Sequence, residues 1–189
     1  MTTIASVFKL WVALALTISL ICGIIYITVQ QSYRQGANDP QFQMAEDAVN
    51  AISRGANPGT IVSVPPVEIS KSLSPYLIIY DAMGNPVASG AVLQGHIPGL
   101  PSGVLKYVKE HGEDVITWKP QEGMRQALVV QKTTGGPLFY VAAGRSLRKT
   151  EERISMLIRQ IKVGWLCSIV ILFLALLVLR LVSKPGSPG

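Results

Sequence analysis

The sequence predicts an α+β protein in which an antiparallel sheet with flanking helices lies between two transmembrane helices. Three patterns in the 189-residue chain indicate this fold class. Two uncharged hydrophobic runs, residues 10–29 and 163–179, lie near its two ends. Between them, short aliphatic and aromatic runs alternate with Gly, Pro and Asn turns, which is typical of strands. Segments with apolar residues three and four positions apart precede, interrupt and follow these runs, which is typical of amphipathic helices.

Each hydrophobic run is long enough to cross a membrane. The twenty residues of 10–29 rise about 30 Å as a helix, the thickness of a hydrocarbon core. Arg180 interrupts the second run, but its long side chain can reach the membrane surface, so the second transmembrane helix is predicted over 163–182. The first run is longer than the roughly 7–15 apolar residues of a signal peptide, and no small-residue cleavage site follows it. An uncleaved anchor is therefore favoured over a cleavable signal.

The placement of charge predicts the topology. Outside the central segment the charged residues are Lys9, Arg180 and Lys184, and all eleven acidic residues lie between the two runs. Because basic flanks remain in the cytoplasm, we expect a protein of the cytoplasmic membrane with cytoplasmic ends at 1–9 and 183–189 and an extracytoplasmic segment at 30–162. A basic cluster outside the second run opposes this, but the rule has little force for loops longer than about 60 residues. The cluster comprises Arg145, Arg148, Lys149, Arg153, Arg159 and Lys162.

The composition argues against several classes of function. The net charge of +6 does not indicate a nucleic-acid partner, because three of these charges flank the hydrophobic runs and the central segment carries 14 basic and 11 acidic residues. Cys22 and Cys167 both lie inside the runs at similar depth, where small packing residues are common. The central segment has no Cys, which excludes a disulfide framework, a Cys-based zinc site and a Cys nucleophile there.

No motif for catalysis or metal binding is present. His96 and His111 are the two histidines and lack the paired spacing of a metal site. The chain has neither a nucleophile elbow nor a Gly-rich phosphate loop. Adjacent carboxylates at 113–114 and 151–152 point apart rather than towards one substrate. We therefore predict no metal, no cofactor and no enzymatic activity.

An amphipathic helix is predicted directly after the first run. Asp39 is expected to cap it, with Pro40 in its first turn, and it ends before Gly55. Its apolar positions are Phe42, Ala45, Val49 and Ile52. Residues 57–59 are predicted as a loop and 61–67 as a short strand, which two prolines confine to a sheet edge.

Five strands and a short helix are predicted next. Residues 76–80 and 86–93 form a hairpin around the turn at 81–85. A helix opens at 101–102 with Val104, Tyr107 and Val108 on one face and closes at Gly112. The remaining strands are predicted at 115–118, 125–132 and 138–142, the last two joined by a turn at 134–136.

The final helix is predicted to run unbroken into the membrane. Ser146 is placed to cap it, and nothing from 150 to 179 interrupts it apart from Gly164. Its stalk has a short heptad seam, and both spans have small residues every fourth position, a pattern that allows close helix contact in lipid. These residues predict a homodimer through the spans and the stalk. The seam comprises Leu147, Ile154, Leu157 and Ile161; the small residues are Ala15, Ser19 and Gly23, with Gly164 and Ser168 in the second span.

Three short stretches and the element order resemble a known family. The stretch 80–87 (YDAMGNPV) resembles the strand–Asp-x-x-Gly–strand hairpin of extracytoplasmic PAS-like (Cache-type) sensor domains of bacterial two-component histidine kinases. The stretches 141–147 (VAAGRSL) and 151–154 (EERI) are similar to the last strand and exit helix of such sensors. The resemblance covers most of 30–162. It implies a PAS-like sheet and a ligand pocket between the sheet and its covering helices or loops.

The resemblance also indicates which residues would form that pocket. Arginine would bind a carboxylate with two parallel hydrogen bonds, and aromatic rings would form the walls. The alternative is that the aromatic residues pack in the sheet and the arginines are solvated. The candidate residues are Tyr80, Trp118, Arg125, Tyr140 and Arg145.

The sequence departs from the family after the second span. Such receptors continue into a relay and an output domain, for which the residues after Arg180 leave no room. We therefore expect sensing or regulation through a separate membrane partner. The alternative is a structural or assembly protein that uses the exported domain as a protein-docking surface. A membrane-tethered enzyme would instead require ionisable groups that converge in a cleft.

Overall fold

The computed structural model describes residues 4–36, 38–62 and 64–182. The predicted tail at 183–189 and the first three residues of the predicted cytoplasmic N-terminus lie outside the described residues. The helices are α1 (Ile4–Gly36), α2 (Asp39–Ser53), α3 (Pro58–Ile61), α4 (Ser102–His111) and α5 (Arg148–Val182). The strands are β1 (Val67–Glu68), β2 (Tyr76–Tyr80), β3 (Pro86–Ser89), β4 (Ala91–Val92), β5 (Glu113–Trp118), β6 (Gln126–Lys132) and β7 (Tyr140–Ser146).

The chain divides into two compact units. The helical unit contains the chain up to Ser32 and from Glu152 onward, and the sheet unit is Tyr33–Glu151. The predicted α+β class is confirmed at this level, because an antiparallel five-stranded sheet and its helices are accompanied by two long apolar helices.

The sheet has the strand order β3-β2-β7-β6-β5, with every neighbouring pair antiparallel. The first strand of this sheet along the chain, β2, therefore lies beside its last, β7. A separate pair, β1 and β4, is parallel and joins the segment before the sheet to the end of the first hairpin.

Helices cover both faces of the sheet. On one face, α2 packs its Ala45, Ala48 and Ile52 against alternate residues of β2, β6 and β7, among them Ile79. On the other face, Val108 of α4 joins a second buried cluster that contains residues of β2, β5, β6 and β7. Because both faces are buried, the central strands read as continuous apolar runs rather than as an alternating pattern.

The structure corrects two predictions for the region of α2 and α3. The residue that precedes α2 is Asn38, not Asp39, and its side chain makes no capping hydrogen bond. Residues 57–59 are not simply a loop, because α3 begins at Pro58. There the Asn57 side chain accepts a hydrogen bond from the Gly59 amide at 2.9 Å, which satisfies one free donor of this short helical turn.

The buried face of α2 is also rotated from the predicted one. It consists of Gln41, Ala45, Ala48 and Ile52, while Phe42 and Val49 are half-buried. Two alanines in the middle of this face let the helix approach the sheet closely. The predicted stripe shares Ala45 and Ile52 with the buried face and differs from it by one position at the other two residues.

Several strand boundaries differ from their predictions. The predicted strand 86–93 is divided at Gly90 into β3 and β4, which belong to different sheets. The predicted edge strand 61–67 is reduced to β1, and the last strand begins at Tyr140 and continues to Ser146. In α4, Val108 is buried as predicted, but Tyr107 is exposed and stacks on His111 instead of facing the core.

Both long helices extend beyond the predicted spans. Helices α1 and α5 are long and apolar enough to cross a membrane. In each helix, 0 % of the most hydrophobic 18-residue stretch is buried inside the protein. The hydrophobic core helix of a water-soluble domain would be mostly buried. The continuation of α5 through Gly164, predicted from the sequence, is confirmed.

Candidate functional site

The three aromatic residues of the predicted pocket share one face of the sheet. Tyr80 and Tyr140 are directly paired across β2 and β7. Trp118 ends β5 on the same face, and all three side chains belong to the buried cluster that includes Val108 of α4. They are 0 %, 2 % and 6 % exposed, respectively. A ligand could therefore reach these rings only if the residues that cover them moved.

The two arginines do not join this group. Arg145 lies in β7 an odd number of residues from Tyr140, so its side chain points to the opposite face. Arg125 precedes β6, where its guanidinium forms an ion pair with Glu151 at 2.6 Å. It also lines an open depression formed by residues 119–125. The structure thus brings the aromatic residues together and leaves the cations elsewhere.

Two of the three buried tyrosines on this face, Tyr80 and Tyr76, differ in whether their hydroxyl groups have a hydrogen-bond partner. The Tyr80 hydroxyl donates a hydrogen bond to the Pro98 carbonyl oxygen at 2.8 Å, which holds the loop before α4 against the sheet. The Tyr76 hydroxyl is buried with no hydrogen-bond partner among the described residues. Its ring lies over Gly144 of the neighbouring strand. Burial raises the pKa of both phenols above the ordinary value near 10.

We expect Tyr76→Phe and Tyr80→Phe to have different effects on stability. Replacing Tyr80 removes a buried hydrogen bond and should lower the free energy of unfolding by about 1 kcal/mol. Replacing Tyr76 removes a hydroxyl with no partner in the described part of the chain and should leave stability unchanged or raise it. Urea unfolding of the full chain in detergent micelles, followed by near-ultraviolet circular dichroism, measures both. Equal losses for the two variants would contradict this assignment.

The same pair predicts the response to alkaline pH. The folded state holds both phenolic protons more tightly than the unfolded state. The resulting contribution to the free energy of unfolding is therefore complete below about pH 10 and is lost as the pH rises further. Each Phe variant should therefore lose less stability than the wild type between roughly pH 9 and pH 11.

Two carboxylates of the sheet unit, those of Asp81 and Glu68, accept hydrogen bonds that stabilise loops. Asp81 accepts hydrogen bonds from the amides of Met83 and Asn85 at 2.9 and 2.8 Å, and from the Asn85 side chain at 3.1 Å. The hydrogen bonds from Asn85 are the main cause of its lowered pKa. Glu68 similarly accepts from Ser70 and from the Gln94 amide, and its pKa is lowered chiefly by the Ser70 hydroxyl. Because both carboxylates are bonded to loop residues and their pKa values are lowered, their role is to fix turns rather than to transfer protons.

The helical unit has a polar contact that periodicity alone did not identify. The Trp165 indole donates a hydrogen bond to the Ser19 hydroxyl at 2.9 Å, and Ser19 in turn donates to the Ala15 carbonyl at 2.8 Å. A shallow open groove beside this contact is lined in part by Gly23 and Cys22. The predicted small-residue face of α1 therefore contacts α5 of the same chain through Ser19. The homodimer through this face remains a prediction.

Among the described residues, no three His, Cys, Asp or Glu side chains lie together in a group that could hold a metal ion. No protein-family model, no curated protein and no solved structure matches this chain. The class of protein must therefore be inferred from the two units themselves.

Proposed function

We propose that this protein is a two-span protein of the bacterial cytoplasmic membrane whose extracytoplasmic PAS-like domain regulates a separate membrane partner. The observation that carries this proposal is the direct connection between the centre of the sheet and a membrane-length helix. Strand β7 ends at Ser146, and α5 begins two residues later and continues without interruption to Val182.

Contacts within the sheet unit hold the start of α5. The Leu147 amide donates to the Arg125 carbonyl oxygen at 2.9 Å, and the Arg148 amide donates to the Ser146 hydroxyl at 3.3 Å. The ion pair between Arg125 and Glu151 adds a contact in the first turn. A change in the position of β7 would thus move the first turn of α5, which is how binding energy at a domain can bias a helix bundle between two packed states.

Three further features support the PAS-like, extracytoplasmic part of the proposal. The sheet is antiparallel and five-stranded, and helices cover both of its faces. The strands of this sheet that come first and last along the chain, β2 and β7, are neighbours within it. Residues 80–89 form the hairpin around Asp81 that the resemblance implied. All acidic residues lie between 39 and 152, whereas Lys9 and Arg180 flank the apolar runs, which favours an exported domain with cytoplasmic ends.

The continuity of α5 gives a direct test. Two glycines beside Ile154, in the variant Ser155→Gly/Met156→Gly, each disfavour helix by about 1 kcal/mol relative to alanine. The matched control is Ser155→Ala/Met156→Ala. Transcript profiles would be compared among the wild-type strain, a deletion strain and strains that express each variant at equal levels. We expect the glycine variant to reproduce the deletion profile and the alanine variant to match the wild type.

Two outcomes would contradict the proposal. An unchanged transcript profile in the deletion strain would show that the protein has no regulatory role. A wild-type profile in the glycine variant would show that α5 does not transmit the signal. The second outcome would instead favour an assembly protein whose domain serves as a docking surface, because docking needs no continuous helix. One observation supports that second candidate: Tyr80, Trp118 and Tyr140 are packed in the core rather than exposed to a small molecule.

A further inference from the structure

The helical unit contains a cavity between α1 and α5, close to the first residues of α1 and the last residues of α5. The described part of its lining is apolar and aromatic, apart from one cation. The lining residues are Val7, Phe8, Trp11, Phe173, Leu176, Leu177 and Arg180.

Three aromatic rings form one wall of this cavity. Phe8 stacks on Trp11 with ring centroids 6.1 Å apart and an angle of 27° between their planes. Trp11 meets Phe173 of the other helix edge to face, with a centroid distance of 6.0 Å and an angle of 81°. Packed rings of this kind form a stiff apolar surface against which an acyl chain can lie.

Among the described residues that line the cavity, Arg180 is the one that carries a charge. It lies seven residues from Phe173, about 10 Å along the helix. A cavity that begins at Arg180 therefore reaches from the headgroup level into the hydrocarbon if α5 spans a membrane. A guanidinium forms paired hydrogen bonds with two phosphate oxygens, so it fits a phosphodiester at that level.

The charges of the surrounding sequence determine which headgroup fits. Residues 1–38 and 153–189 contain no Asp or Glu. A zwitterionic headgroup would bring its own ammonium next to the guanidinium with no acidic side chain to receive it, whereas an anionic headgroup brings no second cation. Basic pockets between transmembrane helices at the cytoplasmic surface are sites of this chemistry.

We propose that this cavity binds one anionic phospholipid, with its phosphodiester on Arg180 and an acyl chain against Phe8, Trp11 and Phe173. The inference rests on the membrane placement of α1 and α5 in the proposed function. It would bring a lipid to the helix pair through which the regulatory proposal operates, and so make the packing of that pair depend on membrane composition.

The test uses the full chain reconstituted into phosphatidylcholine vesicles, with spin-labelled phosphatidylglycerol or spin-labelled phosphatidylcholine as the probe. Electron paramagnetic resonance gives the fraction of each lipid that the protein immobilises. We expect phosphatidylglycerol to be preferred about fivefold, corresponding to about 1 kcal/mol for one basic side chain at the membrane surface. Arg180→Gln should abolish this preference. Leu177→Trp, which keeps the cation but fills the cavity, should abolish it too.

Lys9→Gln is the matched control, because it removes the same charge near the same end of the helix pair from a residue outside the cavity. It should retain the preference. The proposed site would be ruled out if Arg180→Gln kept the preference for phosphatidylglycerol, or if Lys9→Gln lost as much of it as Arg180→Gln. Either result would leave only a diffuse electrostatic attraction to the membrane surface. Failure of the chain to float with the vesicles would instead contradict the membrane placement, so the two failures are distinguishable.

Discussion

Gly144→Ala should lower the free energy of unfolding of the sheet unit by about 3 kcal/mol, near the upper end of the range for overpacked cores. A Cβ at this position would lie only 2.6 Å from Cε2 of the Tyr76 ring and closer still to its Cζ and hydroxyl oxygen. Gly144 lies in the central strand β7, directly paired with Tyr76 of β2, so neither backbone can withdraw without disturbing other strands. Urea unfolding of the full chain in micelles measures the loss.

Two variants separate steric conflict from a general effect of losing glycine. Gly136→Ala, in the turn before β7, has no heavy atom within 4 Å of its new Cβ and should change stability by less than about 0.5 kcal/mol. Tyr76→Ala combined with Gly144→Ala should lower the free energy of unfolding by less than the sum of the two single changes. The reason is that Tyr76→Ala removes the ring with which the new Cβ at position 144 would clash. Strict additivity in this cycle would show that contact with Tyr76 is not the cause.

Ile78→Ala and Ile79→Ala should each lower the free energy of unfolding by about 3 kcal/mol, within the usual range for buried Ile→Ala changes. Both side chains are 0 % exposed although they are adjacent in β2 and therefore point to opposite faces. Ile78 belongs to the cluster on the α4 face, and Ile79 to the cluster on the α2 face. Both deletions leave a cavity beneath a covering helix, and the same urea titration measures both.

Val115→Ala is the control for these two variants. Val115 lies in the edge strand β5 and is 40 % exposed, so its truncation should cost well under about 1 kcal/mol. A small loss for either Ile78→Ala or Ile79→Ala would contradict a sheet that is covered on both faces.

Element type could be predicted where a local signal was strong. The hairpin around residues 81–85 followed from Asp, Gly and Asn between two apolar runs, and the structure shows the Asp81 carboxylate bonded to that turn. The end of α4 followed from Gly112, which adopts a φ of 98° that other residues disfavour. The unbroken course of α5 followed from the absence of a helix-breaking residue other than one glycine.

Boundaries and faces were harder to predict because several residues fit more than one arrangement. Residues 86–92 have the composition of one strand, yet they are divided between two sheets at Gly90. The Gly90 amide donates a hydrogen bond to the Leu77 carbonyl oxygen of β2, whereas the Gly90 carbonyl oxygen accepts one from the Val67 amide of β1. In α2 the predicted stripe and the buried face share Ala45 and Ile52. The close approach of the sheet places the small Ala48 on the buried face instead of Val49.

Where the candidate residues lie in the fold could be predicted only in part. The aromatic residues of the predicted pocket do share one face, but no sequence pattern could show that they are buried in the cluster that includes Val108 of α4. That Arg145 and Tyr140 lie on opposite faces follows from their odd spacing only when both belong to one strand. The predicted strand ended at residue 142, before Arg145, and thus hid this relation.

The sequence by itself determined the two apolar helices, the order of the elements and most turns, because each depends on composition or periodicity within about twenty residues. Only the tertiary structure decided which strands are neighbours, where the Tyr76 ring lies and which residue of the second span meets Ser19. These features depend on partners far apart in the chain, such as Ser19 and Trp165, which are 146 positions apart. A local pattern shows that a side chain needs a partner, whereas packing of the whole chain determines which partner it has.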